Sequence, residues 1–388
     1  MGSNAKYLPS AMLFFSFGFL YYLVIPVLSI HFLDDNRYVE IALRHIGNDT
    51  YGSEYYIVSL VGFFSFYVAL KLGEKIKISG VNFGHRVCYY YLAPKIIASS
   101  LLLVLMLSTF KGISSGVSLF SGYSDYNIAI LGPYATTLFC SVIFLNYFEK
   151  KSSKFYFVFI FLLSSLLLLG LGSRMFFLLG TISIILNKIC NNPKIIKKPV
   201  FLGGVVAIFL LVLFVGVWRS QGDISGNEIM GIFIAEPLFT SISSVNYFKE
   251  IDEFFVIKSP NDIFAAIINF VPSLMMPDKS KIVEAIGYDI REYSPFGASS
   301  LLVNVHINFG VLFYIYFCII GFVFGLLKNL AKVNKLFYSI YLSSLPLLMF
   351  HFFREGFITY IKVQFFNAIL LPILFISILS FLLRSARD

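Results

Sequence analysis

The chain has 388 residues, 58% of them hydrophobic and only 13% charged, and it carries 45 Phe, a composition that excludes a soluble globular domain. Its net charge of +9 invites a nucleic-acid reading, but the basic residues fall in short clusters between apolar runs, as the positive-inside rule distributes them. No nucleic-acid partner is expected, and the sequence predicts an all-α polytopic membrane protein.

Apolar runs predict about ten transmembrane helices, roughly over residues 10–31, 55–71, 93–110, 128–148, 155–172, 175–190, 199–217, 299–327, 336–353 and 361–383. The first run, Ala11 to Ile30, has no small-residue cleavage site after it and reads as a retained signal anchor. Asp34 and Asp35 follow it in a polar loop. Of the four cysteines, Cys88 and Cys190 flank inner loops and Cys140 and Cys318 lie within apolar spans, so no disulfide or cysteine metal site is implied.

Phe155 to Asn187 is 33 residues with one charge, Arg174, in its middle. As a single helix it would run about 50 Å, well beyond the roughly 30 Å hydrocarbon core. Two spans fit, with Gly170-Leu171-Gly172 turning the chain, Ser173 placed to cap the second helix and Arg174 at the membrane surface. An arginine at a helix N-terminus is unfavourable unless an anion sits there.

With the N-terminus inside, the inner segments hold 18 of the 30 basic residues and only three of the 21 acids, Glu74, Glu149 and Asp388, for a net +15 inside and −6 outside. Both termini are therefore expected in the cytoplasm. Residues 1–217 form spans one to seven, 218–298 one long outer loop, and 299–388 the last three spans. Two apolar pieces of the loop, Ile229 to Val245 and Ile263 to Met276, are expected as amphipathic lid helices at the membrane surface.

Chemistry is expected on the side of the long loop. Arg174, Arg219, Arg291 and Arg354 all fall there, and arginines that converge can clamp a diphosphate bidentately; singly, each could instead snorkel to headgroups. His306, at the outer end of the eighth span, is the candidate general base, with a structural hydrogen bond as the alternative. His351 is a second candidate, and Glu236 and Glu355 are the carboxylates expected to be partly buried. Trp218 reads as an interfacial belt residue.

The Gly172-Ser173-Arg174 reversal, the arginine after the following span, the long late outer loop and Asn308-Phe309-Gly310 give the chain a resemblance to bacterial O-antigen or oligosaccharide repeat unit polymerases of the Wzy type. The resemblance covers residue 155 to the end. Where such polymerases carry an acidic residue a turn before Asn-Phe-Gly, this chain has Asn304; the related O-antigen ligases use an outer-side histidine, to which His306 is analogous. The resemblance implies a glycosyltransferase of the inner membrane, metal-independent and without cofactor. Its donor is a glycan on undecaprenyl diphosphate and its acceptor the next lipid-linked unit, with a chain-length regulator and a flippase as further partners beside the membrane lipids. Two other readings are a metal-dependent polyprenyl-phosphate-sugar glycosyltransferase using Asp34 and Asp35, and a polysaccharide flippase or transporter.

Overall fold

The computed structural model describes residues 8–33, 36–47, 51–79, 83–114, 116, 128–220, 226–251, 253–271, 275–276 and 278–385, with 85–86, 128–130, 209, 211–220, 226–230, 232 and 384–385 described by backbone alone. Every regular element among the described residues is helical: α1 Ala11–Phe32, α2 Arg37–Ile46, α3 Ser53–Lys75, α4 Ala93–Ser114, α5 Ile128–Tyr147, α6 Lys151–Gly170, α7 Arg174–Asn191, α8 Pro199–Ser220, α9 Gly226–Glu250, α10 Asn261–Ile268, α11 Lys279–Ile286, α12 Leu301–Val333, α13 Lys335–Arg354 and α14 Phe357–Leu383, besides shorter turns. Eight of these, α1, α3, α4, α6, α7, α12, α13 and α14, are long and apolar enough to cross a membrane. The chain is a helical protein built for a bilayer. Helices α5 and α8 coincide with the other two expected spans.

The split of the 155–187 stretch is observed. Helix α6 ends at Gly170, Gly172 takes the left-handed φ of 77°, and α7 starts at Arg174. The amides of Gly172 and Ser173 return to the carbonyls of Leu169 and Leu168, both at 2.9 Å, satisfying the end of α6. Ser173 occupies the N-cap position, but its side chain makes no capping bond, contrary to expectation.

Helices α3 and α12 pack backbone to backbone. A side chain at Gly321 or Gly325 would strike the backbone of α3 at Phe66 or Leu70, so the spacing of two small residues four apart sets the close approach. At one end of the pair, Asn329 donates to the carbonyls of Gly73, Glu74 and Ile76 at 2.8–3.1 Å, and Glu74 takes Lys328 at 2.7 Å. These bonds satisfy the last turn of α3, which otherwise leaves its carbonyls unpaired.

Helix α9 differs from the expected lid. Thr240 through Val245 are buried in succession, which places protein on every face, and the helix packs along α2 and the outer half of α1. Pro237 lacks the N–H that would bond the Phe233 carbonyl, and the Tyr21 hydroxyl donates there instead at 2.7 Å. Helix α10 does carry an outward apolar side: Phe264 and Ile267 are exposed while Asp262, Ala265 and Ala266 are buried.

Helix α12 is interrupted at Gly310–Leu312, and its first piece, Leu301–Phe309, is buried through Asn308. Gly310 has φ 56°, and a side chain there would overlap the carbonyl oxygen of Val256, whose segment crosses the break and bonds the Val311 amide at 3.0 Å. Asn308 donates to Asp262 Oδ2 at 2.7 Å and accepts from the Asp262 amide at 2.9 Å. Burial pushes the Asp262 carboxyl up, against the bonds from Asn308 and the Tyr288 amide that lower it. The Asn-Phe-Gly sequence thus ties the segment around Val256 and the start of α10 to α12.

Candidate functional site

The site lies where α1, α9, α13 and the start of α7 meet. Glu236 projects from α9 just before Pro237. The Tyr22 hydroxyl of α1 donates to its Oε1 at 2.8 Å, and Arg354 Nε of α13 approaches the same oxygen at 3.4 Å. Arg354 Nη1 lies 3.7 Å from Glu355 Oε1 and 3.6 Å from the sulfur of Met175, the residue after Arg174. The contact with Met175 brings the start of α7, where Arg174 stands, beside Arg354. The side chains of Glu236, Arg354 and Glu355 are 26–30% exposed. The pair is mostly enclosed, and charges so placed stay ionised only in each other's company, so a ligand that reaches Arg354 must replace Glu236 as its counter-ion.

Beneath Arg354, His351 is fully buried, with Phe176 at 5.6 Å and Tyr360 at 6.0 Å between ring centroids. Among the described residues neither of its ring nitrogens has a hydrogen-bond partner, nor does the Tyr360 hydroxyl or either amide atom of Gln364 one turn further on. Asn304 donates to Ser299 Oγ at 3.0 Å and the Ser300 carbonyl at 2.9 Å, while its own Oδ1, near Gly356, is unpaired.

His306 belongs to a different cluster. The Tyr247 hydroxyl meets Nδ1 at 2.9 Å, Nε2 lies 3.0 Å from the Phe254 carbonyl, and the ring stacks on Phe254 at 4.6 Å. A carbonyl only accepts, so Nε2 carries the proton and Nδ1 accepts from Tyr247, whose oxygen takes Lys258 Nζ at 3.1 Å. Both nitrogens are thus engaged in holding Tyr247 and the Phe254 carbonyl on α12. His306→Gln is expected to keep the protein near its wild-type level, while His306→Ala, leaving two buried groups unpaired and a void, is expected to cost about 2–4 kcal/mol and lower that level. A His306→Gln protein as depleted as His306→Ala would show that these hydrogen bonds are not what the histidine supplies.

Of the other residues singled out in the sequence, Arg291 is engaged elsewhere. Arg291 is exposed and grips Asp289 at 2.8 and 2.9 Å; its side-chain hydrogen bonds hold that carboxyl down at about 2. Arg219 and Trp218 end α8, with their side chains outside the described residues, as are Asp34 and Asp35. Among the described residues no group of three or more His, Cys, Asp or Glu side chains is placed to hold a metal ion. Sequence reasoning missed Tyr22, whose hydroxyl in the middle of an apolar span was the available signal.

This geometry defines a polytopic helical membrane protein with a mixed-charge cluster at one end of its bundle. Comparison with known proteins returned no matching family model, curated protein or solved structure.

Proposed function

We propose that the chain polymerises lipid-linked oligosaccharide repeat units of an O-antigen or similar surface polysaccharide. In this reading it transfers the growing glycan from undecaprenyl diphosphate to the incoming lipid-linked unit at the outer face of the inner membrane. The observation that carries the reading is the meeting of Glu236 and Arg354 beside the start of α7, where Arg174 stands, at one partly buried corner. Arg354 and Arg174, joined by Arg219, hold the donor diphosphate and neutralise the charge that builds on it as the sugar leaves. A diphosphate competes with Glu236 for Arg354, which releases the carboxylate to act as base. The acceptor hydroxyl oxygen then bonds the anomeric carbon, its proton passes to Glu236, and the anomeric carbon–oxygen bond breaks with its electron pair going to the diphosphate. Tyr22 keeps Glu236 in orientation.

The charge partition supports ten spans, both termini in the cytoplasm and residues 219–297 in the periplasm. The alternation of spans agrees with it, because the end of α13 and the start of α7 then fall on the outer side together. A transporter is the second reading, favoured by the buried, unpartnered polar atoms of His351, Gln364 and Asn367 within the spans.

Reconstituted protein given purified lipid-linked repeat units and a chelator decides among them. Polymer is expected, with one diphosphate-lipid released per bond formed. Polymerisation that needs an added divalent cation would point to the Asp34 and Asp35 glycosyltransferase, and movement of the lipid between leaflets without polymer to the transporter.

A further inference from the structure

A second group of cations stands apart from Arg354. Lys362, in the first turns of α14, donates to Asn269 Oδ1 at 3.2 Å. Lys279, at the start of α11, reaches the backbone oxygens of the same Asn269 at 3.4 Å and of Val271 at 3.0 Å. Two ammonium groups from separate elements thus converge on one neutral residue, and no carboxylate pairs with either among the described residues. Both side chains are half-buried, where like charges without a counter-ion are unfavourable. Burial, with a smaller effect from the charge of Lys111 in the last turn of α4, lowers the Lys279 ammonium from its ordinary value. A carbonyl or an amide oxygen offsets only part of such a charge. Beside them, α10 turns Phe264 and Ile267 outward, each 53% exposed, one turn before Asn269.

We propose that Lys111, Lys279 and Lys362 form a second anion site that takes the phosphate or diphosphate head of an amphiphile whose apolar tail lies along Phe264 and Ile267. A polymerase that joins two lipid-linked glycans must hold two such heads at once. Resting on the function proposed above, the lysine site holds the acceptor lipid while the arginine corner holds the donor. Lysines suit that division, since the acceptor diphosphate keeps its sugar bond and develops no new charge.

Binding of farnesyl diphosphate to the full-length protein in nanodiscs, counted by native mass spectrometry, tests this without activity. Wild type is expected to bind two molecules. Lys279→Gln with Lys362→Gln should leave one, lost in turn when Arg354→Gln is added, and the paired Lys→Arg changes should restore the second. The affected site is expected to weaken on the order of tenfold per lysine, the scale of one charge-assisted hydrogen bond. Two molecules retained by the paired Gln variant would overturn the proposal. So would loss of co-purifying phosphatidylglycerol with farnesyl diphosphate binding unchanged, which would assign the lysines to ordinary headgroups. A wild type that binds one molecule, lost with the lysines and indifferent to Arg354, would leave this site standing and remove the arginine corner from the donor role. If the paired Gln protein fails to accumulate, exposed Lys111→Gln serves instead, with several-fold weaker binding expected and unchanged binding overturning the proposal.

Discussion

Glu236→Gln is expected to abolish polymer, leaving single repeat units on the lipid, in a protein that still inserts and accumulates. Glutamine keeps the size of the side chain and an oxygen for the Tyr22 hydroxyl, but it does not accept a proton at neutral pH. Loss of a positioned base lowers a rate by roughly 10²–10⁴-fold, enough to erase the ladder. The change also removes the partner 3.4 Å from Arg354, so a second variant is needed to separate the two roles. Arg354→Gln combined with Glu236→Gln removes both charges together. If Glu236 serves only to hold Arg354 in place, Arg354→Lys should be as damaging as Glu236→Gln. If it is the base, no change at Arg354 rescues it. A normal ladder from Glu236→Gln at matched level would sink the assignment and leave His351, whose nitrogens are both unpartnered among the described residues, as the next group to test.

The other large effect is on stability. Gly310→Ala is expected to destabilise the protein by about 3 kcal/mol or more, from a left-handed backbone that alanine adopts poorly and a methyl group that would overlap the Val256 carbonyl. The bond from Val311 to Val256, and with it the Phe254 carbonyl that His306 holds, would have to shift. Thermal unfolding and the protease sensitivity of residues 251–260 measure this. A variant as stable and as resistant as wild type would show that the crossing of the outer loop over α12 is not as tight as described. By contrast Asn308→Asp should be damaging for a separate reason: it places a second carboxylate against buried Asp262 in exchange for a 2.7 Å bond.

Much of the fold was legible in the chain. Apolar runs of 16 to 29 residues bounded by Lys clusters mark spans because a bilayer imposes a minimum length and a charge rule, and both act locally. The division of residues 155–187 followed from length alone, since no single span could hold them, and Gly172 stood where the turn needed it. The capping role of Ser173 was also a local inference, yet it failed: the turn satisfied the end of α6 by backbone bonds instead.

The candidate site was legible only in its parts. Charged residues near span ends stand out against an apolar background, so Glu236, Arg174 and Arg354 were visible one by one. Which of them meet depends on how α1, α9, α13 and α7 pack, and hydropathy carries no information about neighbours. That is why Arg291, equally placed by sequence, turns out to be spent on Asp289, and why His306 is pinned by Tyr247 and Phe254. It is also why α9, whose apolar run reads like a surface helix, is buried: its serines and threonines are small enough to let other helices close on every side. The sequence by itself determined that this is a membrane-spanning helical bundle, because lipid acts on each segment separately. Only the tertiary structure decided that Tyr22, Glu236 and Arg354 share one corner and Lys279 and Lys362 another, because those contacts join residues up to 214 positions apart and depend on the shape of every helix between them.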